Sequence, residues 1–126
     1  MYQYELYPYT YQIGKAEDNP EHEHILLINS SVKSGYRWLA PTWALLMAYK
    51  QGEITEEQYT EKFKTLMRLR YRRYRNLFEA MSKQEQVAFG CYCKDGDFCH
   101  RHLLIEMFEK ICNNYDIPFK YIGELK

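Results

Sequence analysis

The residues best equipped for chemistry lie together in the stretch 89–102. Its fourteen residues contain three of the chain's four cysteines, two of its four histidines and one arginine. Cysteines act as nucleophiles, redox pairs or soft metal ligands, and an arginine fork binds phosphate or carboxylate. An apolar run leads in at 87–89, and apolar residues at helical spacing lead out at 103–111. This order predicts a strand, a polar turn and a helix start, where α/β proteins place ligand sites.

Anion binding is the first chemistry that this turn could perform. A helix start offers unpaired N–H groups and a partial positive charge, and Arg101 adds a guanidinium. Gly96 would let the backbone approach a ligand closely. Asp95 and Asp97 stand in the same turn, where they could cap the helix or bind a ribose hydroxyl or a base edge. We count Lys94, Asp97 and Arg101 among the predicted ligand-binding residues.

Thiol chemistry is the second possibility. Cys99 at a helix start, beside His100 and Arg101, is expected to have a lowered pKa, and Cys93 lies at the strand end. A cysteine-dependent enzyme with Cys99 or Cys93 as nucleophile and His100 as base is therefore an alternative. The cysteine-phosphatase pattern is not met, because seven residues instead of five separate Cys93 from Arg101. A redox pair of Cys93 and Cys99 stays open, although the spacing is not Cys-x-x-Cys.

Zinc binding is the third possibility, and the spacing disfavours it. Cys91 and Cys93 are two apart on a strand and point to the same face, and the adjacent residues Cys99 and His100 seldom chelate one ion well. The chain has no second Cys-x-x-Cys knuckle. We predict no metal and no cofactor. A buried cysteine cluster, with Arg101 in a structural ion pair, remains an alternative for the whole turn.

Composition limits the classes of protein to consider. The 126 residues suit one compact domain. The formal net charge is zero, so no overall electrostatic attraction draws the protein to nucleic acid or membranes. The apolar runs are too short to span a bilayer, and no signal-peptide pattern opens the chain, so we expect a cytoplasmic protein without a membrane partner. Because the cysteines cluster in one turn, we expect reduced thiols. No oligomeric state is predicted.

Four segments have the pattern of strands. Residues 2–13 carry tyrosine at nearly every second position, with Pro8 indicating an edge or a bend, and residues 25–28 suit a strand buried on both faces. Segments 86–93 and 117–122 complete the set. Helical segments separate most of these strands, which predicts crossover connections. The expected fold is therefore a single Rossmann-like α/β domain, with a small, mainly parallel sheet flanked by helices.

The helical segments have recognisable ends. Residues 39–49 predict a helix with Pro41 in its first turn, an apolar stripe that is mostly core, and Gly52 at its end. Thr55 and Gln58 form a capping box at the start of a long amphipathic pattern. We expect a break in that pattern near residues 68–75, although neither glycine nor proline marks it. A last helix is predicted from Cys99 or His100 to Asn113.

The loop after the second strand offers a second group of ligand contacts. It leaves the carboxyl end of its strand, beside the expected position of the cysteine-containing turn. Lysine and arginine side chains there could hold phosphate, and a tryptophan could stack on a ring. The predicted ligand-binding residues on this side are Ser30, Lys33, Arg37, Trp38 and Trp43.

The long helical pattern is also the most basic part of the chain. Residues 55–84 carry eight basic and four acidic side chains. On one continuous helix Arg68, Arg72 and Arg75 share a face, interleaved with tyrosines, and could contact phosphates or bases. A nucleic-acid-binding module is thus a further alternative. Such charged faces are more often solvated and held by salt bridges.

Several motifs together resemble one family. They are Cys-Tyr-Cys-Lys-Asp-Gly-Asp-Phe-Cys-His-Arg-His-Leu at 91–103, Leu-Ala-Pro-Thr-Trp at 39–43 with the run 48–59, and Tyr-Ile-Gly-Glu-Leu at 121–125. This order resembles the DUF488 family, in particular its phage-like branch. The resemblance implies a Rossmann-like domain and a shared Cys-His-Arg element, here Cys99, His100 and Arg101. It implies no particular activity. The segment 29–37 is poorer in arginine than in many members, so part of a basic pocket is missing.

These observations favour a binding site for a small anionic, nucleotide-like ligand between the loop 30–38 and the turn 93–101. Arg101 with Lys33 or Arg37 would hold phosphate, and Trp38 or Trp43 would stack on a ring. In a phage setting the ligand could be a host nucleotide signal. Whether any bond is broken is left open by the sequence.

Overall fold

The structure, a computed structural model, describes residues 4–33, 35–94 and 98–126. Its strands are β1 (Leu6–Gln12), β2 (Leu26–Asn29), β3 (Glu85–Cys91) and β4 (Gly123–Glu124). They form one sheet in the order β2-β3-β1-β4, and each neighbouring pair is parallel. Parallel neighbours need crossover connections, which here include the helices. The predicted α/β fold with a parallel sheet is confirmed, and it is consistent with a Rossmann-like architecture.

The position of β1 corrects the interpretation of Pro8. β1 lies between β3 and β4, so Pro8 is not on an edge strand. The N–H of Leu6 donates to the carbonyl of Pro118 (2.9 Å), and the carbonyl of Pro8 accepts from Ile122 (2.9 Å). Residues 6 and 8 therefore direct their backbone groups toward the C-terminal segment, and the missing N–H of Pro8 costs no bond to β3. That segment forms a strand only at Gly123–Glu124, later and shorter than the predicted 117–122.

The second strand is an edge strand. β2 pairs with β3 alone, and Leu26 in its first position is 45% exposed, whereas Ile28 is buried. The prediction of a strand there is confirmed, and the strand packs on both faces, with Ile28 in the main buried cluster and Leu27 against the second one, so that only its first residue is exposed. Because β2 is an edge strand, no further strand of the described chain lies beside the loop that follows its carboxyl end.

Helices fill the connections around this sheet. Two short 3-10 turns, Pro20–His22 and Arg37–Leu39, precede the first α-helix. No helix among the described residues is long and apolar enough to cross a bilayer. The α-helices are α1 (Trp43–Lys50), α2 (Glu56–Arg73), α3 (Arg75–Met81) and α4 (His100–Asn114).

Helix α1 differs from its prediction in two respects. It begins after Thr42, whose side chain accepts a hydrogen bond from the N–H of Leu45, so Pro41 precedes the helix and is not in its first turn. Every residue of α1, all of them described, keeps some solvent exposure. Trp43 is 55% exposed, and Met47 is exposed too. The expected core stripe is therefore wrong for this face, which borders a cleft instead.

The capping box and the break in the long helical pattern are both confirmed. The Thr55 side chain accepts from the N–H of Gln58, whose side chain accepts from the N–H of Thr55. The pattern divides at Tyr74, whose φ of −117° and ψ of 34° lie outside the helical region. Arg75 therefore begins α3, and the helical face predicted for Arg68, Arg72 and Arg75 is not continuous.

The core fixes β3 and α4 relative to each other. The rings of Phe89 on β3 and Phe108 on α4 stack with centroids 5.0 Å apart, and Phe78 on α3 lies 5.8 Å from Phe108. Ala88 belongs to a second, smaller buried cluster on the opposite face, with Tyr11. Because β3 packs against α4 through Phe89, this contact sets the separation between the carboxyl end of β3 and the start of α4.

Candidate functional site

A cleft lies at the carboxyl edge of the sheet. It consists of two adjoining cavities, of about 630 and 410 Å³, which share the lining residues Leu46, Lys50, Tyr92, Cys93 and His100. The residues after β2, the residues after β3, the first residue of α4 and one face of α1 surround it. This position is where open parallel sheets bind ligands. The two cavities together are called the cleft.

The described lining of the cleft is aromatic and basic. It includes three lysines against one carboxylate, that of Glu56. The lysines lie on three separate segments, so they border the cleft from different sides. Such a lining favours an anionic ligand that also carries a ring. The lysines are Lys33, Lys50 and Lys94, and the aromatic residues are Trp43, Tyr49, Tyr59, Tyr92 and Phe98.

Arg101 is fully buried beneath the cleft. Its Nε and Nη2 donate to the Glu124 carboxylate at 3.3 and 2.8 Å. Its Nη1 donates to Cys91 Sγ and to the carbonyl of Cys93, both at 2.9 Å, and Nη2 also donates to the carbonyl of Lys94 at 3.4 Å. Since a guanidinium has five N–H donors, each has an acceptor within the protein. The structure thus shows the structural ion pair, and it removes the geometric basis for Arg101 as a direct phosphate ligand.

His100 is held as a neutral imidazole at the wall of the cleft. Its Nε2 lies 2.7 Å from the carbonyl of Ser30, which can only accept, so Nε2 carries the proton. Nδ1 is then unprotonated and lies 3.7 Å from Cys99 Sγ. Burial lowers the pKa of His100 to about 4, the hydrogen bond to Ser30 opposes that shift, and the charge of Arg101 adds to it. His100 can accept a hydrogen bond at neutral pH, but it is a weak base.

Ser30 supports His100 and does not line the cleft. It is completely buried, and its hydroxyl donates to the carbonyl of Gly90 at 2.8 Å. Its N–H donates to the same carbonyl, also at 2.8 Å. These bonds join the carboxyl ends of β2 and β3. The predicted ligand-binding role of Ser30 is therefore replaced by a positioning role.

The glycine at this junction is required by a close approach. A Cβ on Gly90 would contact the ring of Tyr11, which crosses the strand there. Tyr11 is buried, and burial raises its pKa to about 12, with a smaller contribution from the charge of Glu17. The packing of Tyr11 against Gly90 thus supports the strand end from which the cysteine-containing turn begins.

Three cysteine sulfur atoms converge beside the cleft. The Sγ atoms of Cys91, Cys93 and Cys99 all lie within 4.8 Å of one another. The Sγ atoms of Cys91 and Cys99 are in contact, whereas their Cα atoms, 7.8 Å apart, are farther from each other than is usual for a disulfide, so reduced thiols stay the expectation. Cys93 is a free thiol, half-buried, and lines both cavities. Sequence spacing therefore does not exclude a shared ligand set, because the fold brings all three sulfur atoms together.

The fourth cysteine is remote from this cluster. Cys112 is completely buried on α4, among the apolar residues of the main core. Burial raises its pKa to about 11, against a smaller opposing effect of a hydrogen bond with Ser82. Its environment is that of a packing residue.

The remaining predicted ligand-binding residues divide into three groups. Lys33, Lys94 and Trp43 line the cleft. Trp38 does not, since it packs edge-to-face on Phe78 in the core, with ring centroids 4.7 Å apart. Arg37 is exposed in the 3-10 turn and is outside the described lining. Asp97, like Asp95 and Gly96, lies outside the described residues.

Several residues of the cleft were not predicted from the sequence, and Lys50 is the most important of them. Trp43 and Lys50 are seven residues apart, close to two helical turns, so their spacing alone places them on one face of α1. Tyr59 had no such local signal, because it reaches the cleft from α2. Its pKa is raised by burial first and then by the nearby Cys93 and Tyr49.

A comparison with family models shows which family the chain belongs to. The model DUF488-N3a, described as the active DUF488-N3 subclade, matches residues 10–111. The chain belongs to the DUF488 family. The match includes β2, β3, the cysteine-containing turn and most of α4, and therefore the whole Cys99–His100–Arg101 element of this DUF488 protein. Its place in a phage-like branch remains a prediction. No curated protein and no solved structure matches the chain.

Proposed function

We propose that the cleft binds a small anionic ligand of the nucleotide class. The observation that carries this proposal is that Lys33, Lys50 and Lys94, on three separate segments, line the two adjoining cavities of the cleft, which have aromatic walls. Nucleotides combine the two features that such a lining recognises, namely a phosphate group and a flat ring. The position at the carboxyl ends of β2 and β3 supports the same class of ligand.

Lys50 is the central phosphate contact in this proposal. It lines both cavities, so its ammonium group can reach a phosphate bound in either of them. The first turn of α4, which begins at His100, adds a partial positive charge at the same end of the cleft. Arg101 contributes indirectly, because its bonds to the carbonyls of Cys93 and Lys94 hold the turn that presents Lys94.

Trp43 is the proposed stacking residue. It lies on the cleft-facing side of α1, in the same cavity as Lys33 and Lys50, and more than half of its side chain is exposed. Tyr49 and Phe98, whose rings lie 5.4 Å apart, form an aromatic wall in the other cavity. Stacking on an exposed indole contributes about 1–3 kcal/mol per base where it has been measured by alanine substitution.

Calorimetric titration of the reduced protein with nucleoside mono-, di- and triphosphates tests the proposal. We expect saturable binding that weakens with salt. The affinity of Lys50→Ala should be lower by about 10-fold, because a charged contact is lost. Lys120→Ala is the matched control. Lys120 is exposed, and its N–H donates to Leu6 at the amino end of β1, away from the cleft. No heat with any phosphate compound, or equal losses in the two variants, would contradict the proposal.

A narrower form of the proposal concerns the biological ligand. A phage-encoded protein that acts on a host nucleotide signal would belong to the same ligand class, and the support for it is the motif resemblance alone. Adding cyclic nucleotides to the titration tests this form. A clear preference for a cyclic nucleotide over the corresponding monophosphate would support it, and the reverse preference would count against it.

Cysteine-dependent catalysis is the second candidate, favoured by the position of Cys93. Its thiol is free, half-buried and open to both cavities, whereas Cys99 is almost completely buried and lies against Cys91. We therefore propose Cys93 as the nucleophile in this alternative. Mass-spectrometric mapping of iodoacetamide adducts at pH 6 tests it, with Cys93 expected to react well before Cys112. Uniformly slow cysteines would remove this candidate. Nucleic-acid binding by Arg68, Arg72 and Arg75 remains a sequence-based prediction.

A further inference from the structure

The three-cysteine cluster has the composition of a metal site. Zn–S bonds of about 2.3 Å place two sulfur ligands of a tetrahedral zinc ion about 3.8 Å apart. The sulfur atoms of Cys91, Cys93 and Cys99 already lie within 4.8 Å of one another. Small side-chain rotations therefore bring all three sulfur atoms into coordination geometry without a change in the course of the backbone.

The backbone supports a shared ion better than a bond between two of the cysteines. Disulfides usually join Cα atoms that are about 4.4–6.8 Å apart. The Cα atoms of Cys91 and Cys99 are 7.8 Å apart. An ion between two thiolates holds them farther apart than a disulfide does, so this wider separation suits metal coordination.

A second shell for such a site is also present. Nη1 of Arg101 donates to Cys91 Sγ at 2.9 Å and to the carbonyl of Cys93 at 2.9 Å. Hydrogen bonds to ligand sulfur atoms orient them and stabilise the thiolate form. Three thiolates around a divalent ion carry one net negative charge, and the guanidinium donates a hydrogen bond to one of these sulfur atoms while the Glu124 carboxylate balances its charge. Arg101 is completely buried and held by Glu124, so this donor is fixed in place.

We propose that the reduced protein binds one zinc-class ion through Cys91, Cys93 and Cys99, with the fourth coordination position open to the cleft. Cys93 lines both cavities and Cys91 and Cys99 line one each, so an ion among them faces the space assigned to the ligand. Three sulfur ligands select soft or borderline ions such as Zn²⁺ over Mg²⁺ or Ca²⁺. Metal and disulfide exclude each other, because pairing Cys91 with Cys99 consumes two of the three ligands. This inference does not depend on the proposed nucleotide ligand.

Titration of the reduced 126-residue chain with Co²⁺ tests the site with the metal alone. We expect one Co²⁺ per chain, a thiolate-to-cobalt charge-transfer band and intense visible bands of tetrahedral Co²⁺, all lost on addition of Zn²⁺. Cys93→Ser should weaken binding by at least about 100-fold, since a direct ligand is removed and the loss of an outer-shell partner alone costs about 10–100-fold. Cys93 is the best position for this change, because it is only half-buried and its loss is compatible with folding.

The matched control is Cys112→Ala, which removes a cysteine outside the cluster and should bind one Co²⁺ per chain with wild-type affinity. Protein oxidised with diamide should bind none. The proposal is overturned if the reduced wild type takes up no Co²⁺ or Zn²⁺, or if Cys93→Ser binds as well as Cys112→Ala. Equal binding by the oxidised protein would also overturn it. Circular dichroism of each variant separates loss of the site from loss of the fold.

Discussion

The guanidinium of Arg101 and the carboxylate of Glu124 form an ion pair that is almost completely removed from solvent, with Nη2 and Oε2 2.8 Å apart. The pair joins the first turn of α4 to β4, the strand that pairs with the outer side of β1. The remaining donors of the same guanidinium hold the cysteine-containing turn. The arginine at the centre of the predicted site is therefore the link that fixes the floor of the cleft.

Breaking this ion pair should strongly destabilise the protein. Glu124→Gln keeps the size of the side chain but leaves the Arg101 charge buried without its counter-charge. Removal of one partner of a buried pair costs about 3–5 kcal/mol. Urea unfolding followed by circular dichroism measures the loss. Glu109→Gln, an exposed position on α4, is the control and should change stability by less than about 0.5 kcal/mol. A loss below about 1 kcal/mol in Glu124→Gln would show that water reaches the pair in solution.

Adding one methyl group at Gly90 should destabilise the strand end. The new Cβ would contact the ring of Tyr11, so Gly90→Ala forces the ring or the strand to move, at a cost of about 1–3 kcal/mol. A double-mutant cycle with Tyr11→Ala isolates this contact, and we expect Gly90→Ala to cost little once the ring is absent. Urea unfolding of the four proteins gives the coupling free energy. Additive losses would show that the ring is not what excludes a side chain there.

The place of the site could be predicted from the sequence because the signals are local. A buried strand, a polar turn and an apolar helix follow one another within 87–111, and the capping box at Thr55 starts α2 as expected. The role of Arg101 could not be predicted, because its partner Glu124 lies 23 residues away and no periodicity relates the two. Contacts between residues far apart in the chain also decide which tryptophan is available to stack on a ligand. Trp38 and Trp43 are only five residues apart in the chain, but Phe78 covers the first.

The convergence of the three cysteine sulfur atoms could not be predicted from the sequence for a related reason. The spacing of Cys91 and Cys93 describes one strand end, whereas the third sulfur atom comes from the start of α4. The distance across the turn depends on how α4 packs on β3, which the stacked pair of Phe89 and Phe108 sets. The residue types thus indicated which kinds of chemistry are available. Tertiary packing determines which of these kinds the side chains are positioned to perform.

Cys112 should be almost unreactive in the folded protein. Burial raises its pKa to about 11, so at pH 8 only about one thiol in a thousand is ionised, and alkylation requires the thiolate. Iodoacetamide labelling at pH 8, followed by mass spectrometry, should show Cys112 at least about 100-fold slower in the folded protein than in urea, where cysteine has a pKa of about 8.5. Comparable rates in the two conditions would contradict the buried position.

The same shift gives the sign of a pH effect on stability. The folded-state pKa of Cys112 lies above the unfolded-state value, so the unfolded state loses its proton first as the pH rises. The contribution of Cys112 to stability is therefore complete below about pH 8.5 and declines as the pH rises toward 11. Unfolding free energies of the wild type and Cys112→Ala, measured at pH 7 and pH 10, should converge at the higher pH. A difference that grows with pH would show the opposite shift.

The two tryptophans should report different parts of the molecule. Trp38 packs edge-to-face on Phe78, and an aromatic pair of this kind contributes about 0.5–1.5 kcal/mol beyond the area that it buries. Trp43 is 55% exposed in the cleft. We therefore expect Trp38→Phe to lower the unfolding free energy and to leave an emission that acrylamide quenches readily. Trp43→Phe should keep wild-type stability and leave a shielded emission.

A nucleotide bound in the cleft should change the fluorescence of Trp38→Phe, which retains Trp43, but hardly that of Trp43→Phe. A ligand response confined to Trp43→Phe would place the ligand away from α1 and contradict the assignment of the cleft.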